Sequence, residues 1–128
     1  MEKFNLTGKC ALITGGSRGI GFGIASALAE AGADIVLVSR QPKGLTEARD
    51  RLASKSRKIS TYPFDMNDAD QIEGFYETII KDTGGIDILV NNAGGTRRGP
   101  AESISADDWH FVINLYLTSV FKMSQAFA

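Results

Sequence analysis

A single cysteine, Cys10, excludes an internal disulfide and any zinc cluster built from thiolates. A single histidine, His110, cannot anchor a multi-histidine metal centre. Charge of one sign is also lacking. Fourteen lysines and arginines face 15 aspartates and glutamates, a net charge of -1. That balance gives neither the basic excess that grips nucleic acid nor an acidic, disordered tail. No apolar run approaches the roughly 20 residues that a membrane-spanning helix needs. The opening stretch, Met1 to Lys9, is polar and mixed and lacks the charged-then-apolar order of a secretion signal. The expected compartment is therefore reducing and cytoplasmic.

What is present suits one domain with one modest core: 128 residues, 43% hydrophobic and 23% charged. Four short apolar runs alternate with helical patterns. They are Cys10 to Ile13, Ile35 to Val38, Ile59 to Phe64, and Ile86 to Val90. Cys10 to Ile13 and Ile35 to Val38 are continuous, and Ile86 to Val90 is broken by Asp87 alone, as in parallel strands buried on both faces. The Ile59 run alternates and carries Pro63, which places it at a sheet edge. Ile20, Ile24 and Leu28 recur at i, i+4 and i+8 and predict a first helix, ended by Gly32. Leu45, Ala48 and Leu52 mark a second, mostly charged helix. Ile72, Phe75, Tyr76, Ile79 and Ile80 give the strongest amphipathic pattern, with Asn67 as the expected N-cap and Asp70 in the first turn. Ser105 to Asp108 resembles a capping box and opens a further helical region. From Phe111 to Ala128 the sole charge is Lys122, and apolar residues face every direction, as in a helix buried on two sides. Strands alternating with helices predict an α/β fold with right-handed parallel crossovers.

The first apolar run feeds into Thr14-Gly15-Gly16-Ser17-Arg18-Gly19-Ile20-Gly21, and a helix follows. Glycines let the backbone turn tightly and come close to a pyrophosphate, while the helix start offers unpaired N–H groups and partial positive charge. The alternative, a glycine-rich turn with no ligand, accords less well with the surrounding strand, turn and helix.

Taken together, Thr14-Gly-x-x-x-Gly-x-Gly21, Asn91-Asn92-Ala93-Gly94 after the fourth run, Asp65 after the third and Asn114 in Val112-Ile113-Asn114-Leu115 resemble the short-chain dehydrogenase/reductase family. The matches fall in order and span the chain from Lys9 onward. The resemblance implies a Rossmann-type doubly wound sheet with strand order 3-2-1-4, which agrees with the edge position given to the Pro63 strand. It implies that residues 1–128 are an NAD(P)-binding half-domain. The cofactor would lie on the Thr14–Gly21 loop, at Asp65 and Met66 beside the adenine, and at Asn91, Asn92, Ala93 and Gly94. Asn114 would be the catalytic asparagine. The stretches Phe4 to Lys9 and Ala31 to Val36 are similar to those of gluconate 5-dehydrogenase-like and 3-oxoacyl-carrier-protein reductase-like members.

The cofactor can be read further. An NAD-binding Rossmann fold places an acid about 20 residues beyond the glycines to hold the ribose 2′-OH. Here that region is Val38-Ser39-Arg40-Gln41, with no acid. Arg40, together with Arg18 in the loop, suits a 2′-phosphate. The expectation is NADP rather than NAD, the alternative being that Arg40 is a solvated residue at a strand end.

The resemblance also implies an active-site tetrad of asparagine, serine, tyrosine and a lysine four residues after the tyrosine. None of the three tyrosines fits. Tyr62 is followed at that distance by Met66, Tyr76 by Ile80 and Tyr116 by Val120. The expectation is a fragment of an oxidoreductase acting on a carbonyl or secondary alcohol, inactive alone and self-associating through its last helix. The alternative is a stand-alone nucleotide-binding or interaction module without catalysis. Asn114 can equally be a buried structural amide. Cys10 reads as a small core hydrophobe and His110 as a packing or surface residue. The cluster Arg49, Arg51, Lys55, Arg57 and Lys58 reads as a solvated helix face.

Overall fold

The computed structural model of the protein describes residues 5–54, 58–94 and 99–128. Four strands, β1 (Cys10–Thr14), β2 (Asp34–Ser39), β3 (Ile59–Pro63) and β4 (Ile88–Val90), form one sheet in the order β3-β2-β1-β4. All three pairings are parallel. The order is the expected 3-2-1-4. Pro63 ends the outermost strand, where a missing N–H costs least. β4 is shorter than its apolar run. Ahead of it, Asp87 accepts the backbone N–H of Cys10 on its side chain and donates its own N–H to the Cys10 carbonyl.

The continuous apolar runs are explained by two cores. Successive side chains of a strand point to opposite faces, so a strand covered on both sides is apolar throughout. On one face Ala11, Ile13, Ile35 and Leu37 pack against helices α1 (Gly19–Glu30) and α2 (Pro42–Leu52). On the other, Leu12, Val36 and Val38 pack against α3 (Ile72–Thr83) and the C-terminal helical segment. α2 buries Leu45, Ala48 and Leu52 as the spacing predicts, and α3 buries Ile72, Tyr76 and Ile79.

α1 corrects the expected face. Its buried residues are Gly21, Ala25 and Ala29, one position on from the isoleucine row, while Ile20 is 78% exposed. Small side chains let this helix lie close to the sheet, and Ile24 and Leu28 flank the contact as partly buried residues. Gly32 follows the C-cap Ala31 at φ 104°, a left-handed conformation that glycine adopts without strain. Asn67 is not the cap of α3. A 3₁₀ turn, Ala69–Gln71, precedes that helix, and the Asn67 oxygens instead accept from Asn114.

Ser105 does cap α4 (Ala106–Ile113), its Oγ accepting the backbone N–H of Asp108 at 3.0 Å. The helix then widens into a π-turn, Asn114–Thr118, and continues as α5 (Ser119–Phe127). Leu115, Ser119 and Met123 are buried, while Leu117 is 62% and Phe121 61% exposed. Among the described residues no helix is long and apolar enough to cross a membrane. Arg49 and Arg51 lie on the exposed side of α2, and the Arg51 guanidinium sits 4.2 Å over the Phe22 ring of α1. Lys55 and Arg57 lie outside the described residues.

Candidate functional site

A cleft of about 460 Å³ opens where β1, β2, β3 and β4 end. Its floor is the turn after β1. Gly15 (φ 64°) and Gly19 (φ 60°) take left-handed conformations there. Both Gly15 and Gly16 donate N–H groups to the Val38 carbonyl, pinning the turn to β2. Gly21 permits the closest approach, since a Cβ on it would fall 2.1 Å from the Gly15 oxygen. Arg18, in the N-cap position of α1, supplies no side-chain cap, and no acid lies in the first turn. The helix's own cap and first turn thus place no negative charge at its positive end.

The walls come from the other strand ends. After β2, Ser39 and Arg40 line the cleft, and the Ser17 hydroxyl donates to Ser39 Oγ at 3.1 Å. After β3, Asp65 and the buried Met66 line it, with Asp65 Oδ1 accepting the Asn67 N–H at 2.9 Å. After β4 come Asn92, Ala93 and Gly94. Among the described residues, the charged groups on the lining are two guanidiniums, Arg18 and Arg40, against the single carboxylate of Asp65. The chemistry of this donor set fits a polyanion: two cations, two hydroxyls and a helix start face one space.

Other expected residues stand behind or beside the cleft. Thr14 Oγ1 accepts the N–H groups of Asn92 and Ala93, each at 2.9 Å, and Asn92 Nδ2 donates to the Gly15 carbonyl at 3.1 Å. These bonds lock β4 to the glycine turn. Thr14 and Gly21 thus shape the cleft without lining it, and Ile20 is exposed. Asn91 turns away, its Nδ2 donating to Ser124 Oγ at 3.2 Å. Asn114 lies in a second hollow of about 400 Å³ with His110, Phe111 and Thr118.

The sequence reading missed Gln41, Gly44 and Asn67 on the lining. Gln41 and Gly44 follow Arg40 at a strand-to-helix junction, and Asn67 stands two residues past Asp65, the spacing of an Asx turn. Those signals were available. Phe64, Phe111 and Leu115 also line the cleft, but as apolar residues they carry no local mark of it.

Away from the cleft, Cys10 sits beside Asp34 across the β1–β2 register. Burial, then the carboxylates of Asp34 and Asp87, push its thiol above the ordinary range. It is a protonated, half-buried thiol at neutral pH, packed against the core rather than within it. The Tyr62 hydroxyl donates to Asp82 Oδ2 at 2.9 Å. Burial and that hydrogen bond push its phenol up to about 12. Burial also raises Tyr76.

The short chain dehydrogenase family model matches residues 9–128. The chain belongs to the short-chain dehydrogenase family. One relative in that family, gluconate 5-dehydrogenase of Gluconobacter oxydans (strain 621H), is 42% identical over 127 residues, covering 99% of this chain and 50% of its own length. The 3-oxoacyl-[acyl-carrier-protein] reductase of Vibrio harveyi is 38% identical over 122 residues, covering 95% of this chain and 49% of that protein. Among solved structures, L-sorbose reductase from Gluconobacter frateurii, complexed with NADPH and L-sorbose, superposes with a TM-score of 0.90 at 33% identity. That match covers 97% of this chain and 48% of the other. The chain spans about half the length of the curated relatives it matches.

Proposed function

We propose that residues 1–128 form the NADP(H)-binding half-domain of an oxidoreductase that transfers a hydride between nicotinamide and a carbonyl or secondary alcohol. The observation that carries this reading is the pairing of Arg18 and Arg40 on one cleft with no carboxylate at the end of β2. A ribose 2′-phosphate needs cations there, and a bare 2′-OH needs an acid. The pyrophosphate would rest on the Gly15–Gly21 turn at the start of α1, the adenine beside Asp65 and Met66, and the nicotinamide half toward Asn92–Gly94. Bound there, the nicotinamide supplies or accepts the hydride. The L-sorbose reductase complexed with NADPH supports this choice of cofactor.

Asn114 is the proposed active-site asparagine. A proton for the substrate oxygen needs a further group, because none of the three tyrosines in these 128 residues is followed four positions later by lysine. The second reading is a nucleotide-binding module without catalysis. The apolar face of the last helix, with Leu117 and Phe121 exposed, supports self-association through residues 111–128. The lone thiol, Cys10, accords with work in a reducing cytoplasm.

Titration of the protein with NADPH and NADH tests the cofactor. Tighter NADPH binding that Arg40→Ala weakens is the expected result, and a preference for NADH would refute it. Ketone-dependent oxidation of NADPH by the intact protein separates the oxidoreductase from the non-catalytic module.

A further inference from the structure

Asn67 forms part of the wall between the two hollows, lining both the glycine-turn cleft and the space beside His110. Its backbone N–H donates to Asp65 Oδ1 at 2.9 Å, which closes a tight turn after β3. Its backbone oxygen and its Oδ1 both accept from Asn114 Nδ2, each at 2.7 Å. A carboxamide carries two N–H bonds, so both donors of Asn114 are committed to this one residue. The backbone carbonyl of Asn67 can only accept. It therefore settles which end of the Asn114 amide faces it, because the reversed amide would set oxygen against two acceptor oxygens. Asn114 is also the first residue of the π-turn, where the helix widens. Such local widening is often found at functional sites.

We infer that Asn67 is the positioning residue of Asn114. It holds the carboxamide so that Asn114 offers an oxygen acceptor, and no N–H donor, to whatever group comes to its open side. The Asx turn on Asp65 ties that orientation to the wall of the nucleotide cleft, so the cleft and the asparagine are set by one short segment, Asp65 to Asn67. This assignment rests on the reading of Asn114 as an active-site residue and deepens it.

The test uses two variants of the intact protein. Asn67→Ala removes Oδ1 and leaves the backbone oxygen. Asn67→Asp keeps an accepting oxygen in the same place. In the ¹⁵N-labelled protein, the side-chain amide signals of Asn114 are expected to shift and exchange about tenfold faster in Asn67→Ala, and to return close to wild type in Asn67→Asp. In turnover, Asn67→Ala is expected to lower kcat about tenfold with KM for the nucleotide changed by less than about twofold, and Asn67→Asp to recover most of the loss. Unmoved Asn114 signals in Asn67→Ala, or an Asn67→Asp variant as impaired as Asn67→Ala, would overturn the inference. If the signals respond as expected but Asn114→Ala leaves kcat unchanged, the positioning stands and the catalytic reading of Asn114 is what fails.

Discussion

Thr14 Oγ1 accepts the backbone N–H of Asn92 at 2.9 Å, joining the end of β1 to the segment that leaves β4. The same oxygen accepts the N–H of Ala93, and Thr14 is 1% exposed. Thr14→Val keeps the shape and strands both donors. Each partly buried, unpaired N–H costs about 1–3 kcal/mol, so a loss of about 2–6 kcal/mol in urea denaturation is expected, with weaker nucleotide binding. Thr14→Ser, which keeps the hydroxyl, is expected to lose under about 1 kcal/mol. Equal losses in the two variants would show that the hydroxyl does not carry the junction.

Two glycines of α1 are expected to respond in opposite directions to alanine. A Cβ on Gly21 would meet the Gly15 oxygen of the cleft floor at 2.1 Å and Asn92 Nδ2 of its wall at 2.4 Å. Gly21→Ala is expected to displace the turn and abolish nucleotide binding. A Cβ on Gly23 would meet nothing within 4 Å. Gly23→Ala is expected to stabilise the chain by about 0.5–1 kcal/mol through helix propensity, leaving binding intact. Thermal melts paired with fluorescence titration of NADPH distinguish the two outcomes.

Tyr62 makes the fold sensitive to alkali. Its phenol rises from the ordinary 10 to about 12 because burial and the bond to Asp82 favour the protonated form. The folded state thus holds this proton more tightly than the unfolded chain does. The resulting stabilisation is whole below about pH 10 and is lost as pH rises through about 12. Tyr76 and Cys10, also raised, act in the same sense. Denaturation midpoints should fall across this window, and fall less in Tyr62→Phe. An ultraviolet titration placing the Tyr62 phenolate at the ordinary value would contradict the account.

The exposed apolar residues of the last helix should govern association. Leu117 and Phe121, four residues apart, present adjacent side chains to solvent. Leu117→Glu with Phe121→Glu is expected to convert a self-associated protein to monomers in sedimentation velocity while the melting transition persists. A wild-type protein that is monomeric at high concentration would remove the basis for this expectation.

Much of the fold was legible because two local patterns carry it. Short apolar runs announced strands covered on both faces, and Pro63 announced the edge. The glycine turn was legible because its residues do their work within eight positions of one another. Residues whose partners are distant in sequence were misread. Asn67 followed by Asp70 has the local form of a helix start, but Asn114, separated by 47 positions, claims its oxygens. The last helix was illegible for a geometric reason. Phe111, Leu115, Ser119, Met123 and Phe127 follow each other at steps of four, and all are buried or partly buried. On a straight α-helix, at 3.6 residues per turn, each such step drifts by about 40°, which scatters the row around the axis. The π-turn takes up part of that drift, and nothing local in Asn114–Thr118 signals it.

Because all four strands run the same way, each hands its following loop to one rim: Ser17–Arg18 after β1, Arg40–Gln41 after β2, Asp65–Asn67 after β3 and Asn92–Gly94 after β4. Sheet and rim are thus separable for engineering. The ladder acts as a chassis held by backbone hydrogen bonds and braced at β4 by the Asn92 side chain. Grafting a different segment at Ser39–Gln41 alone should retune which dinucleotide is held, while the strand pairing beneath it goes unchanged.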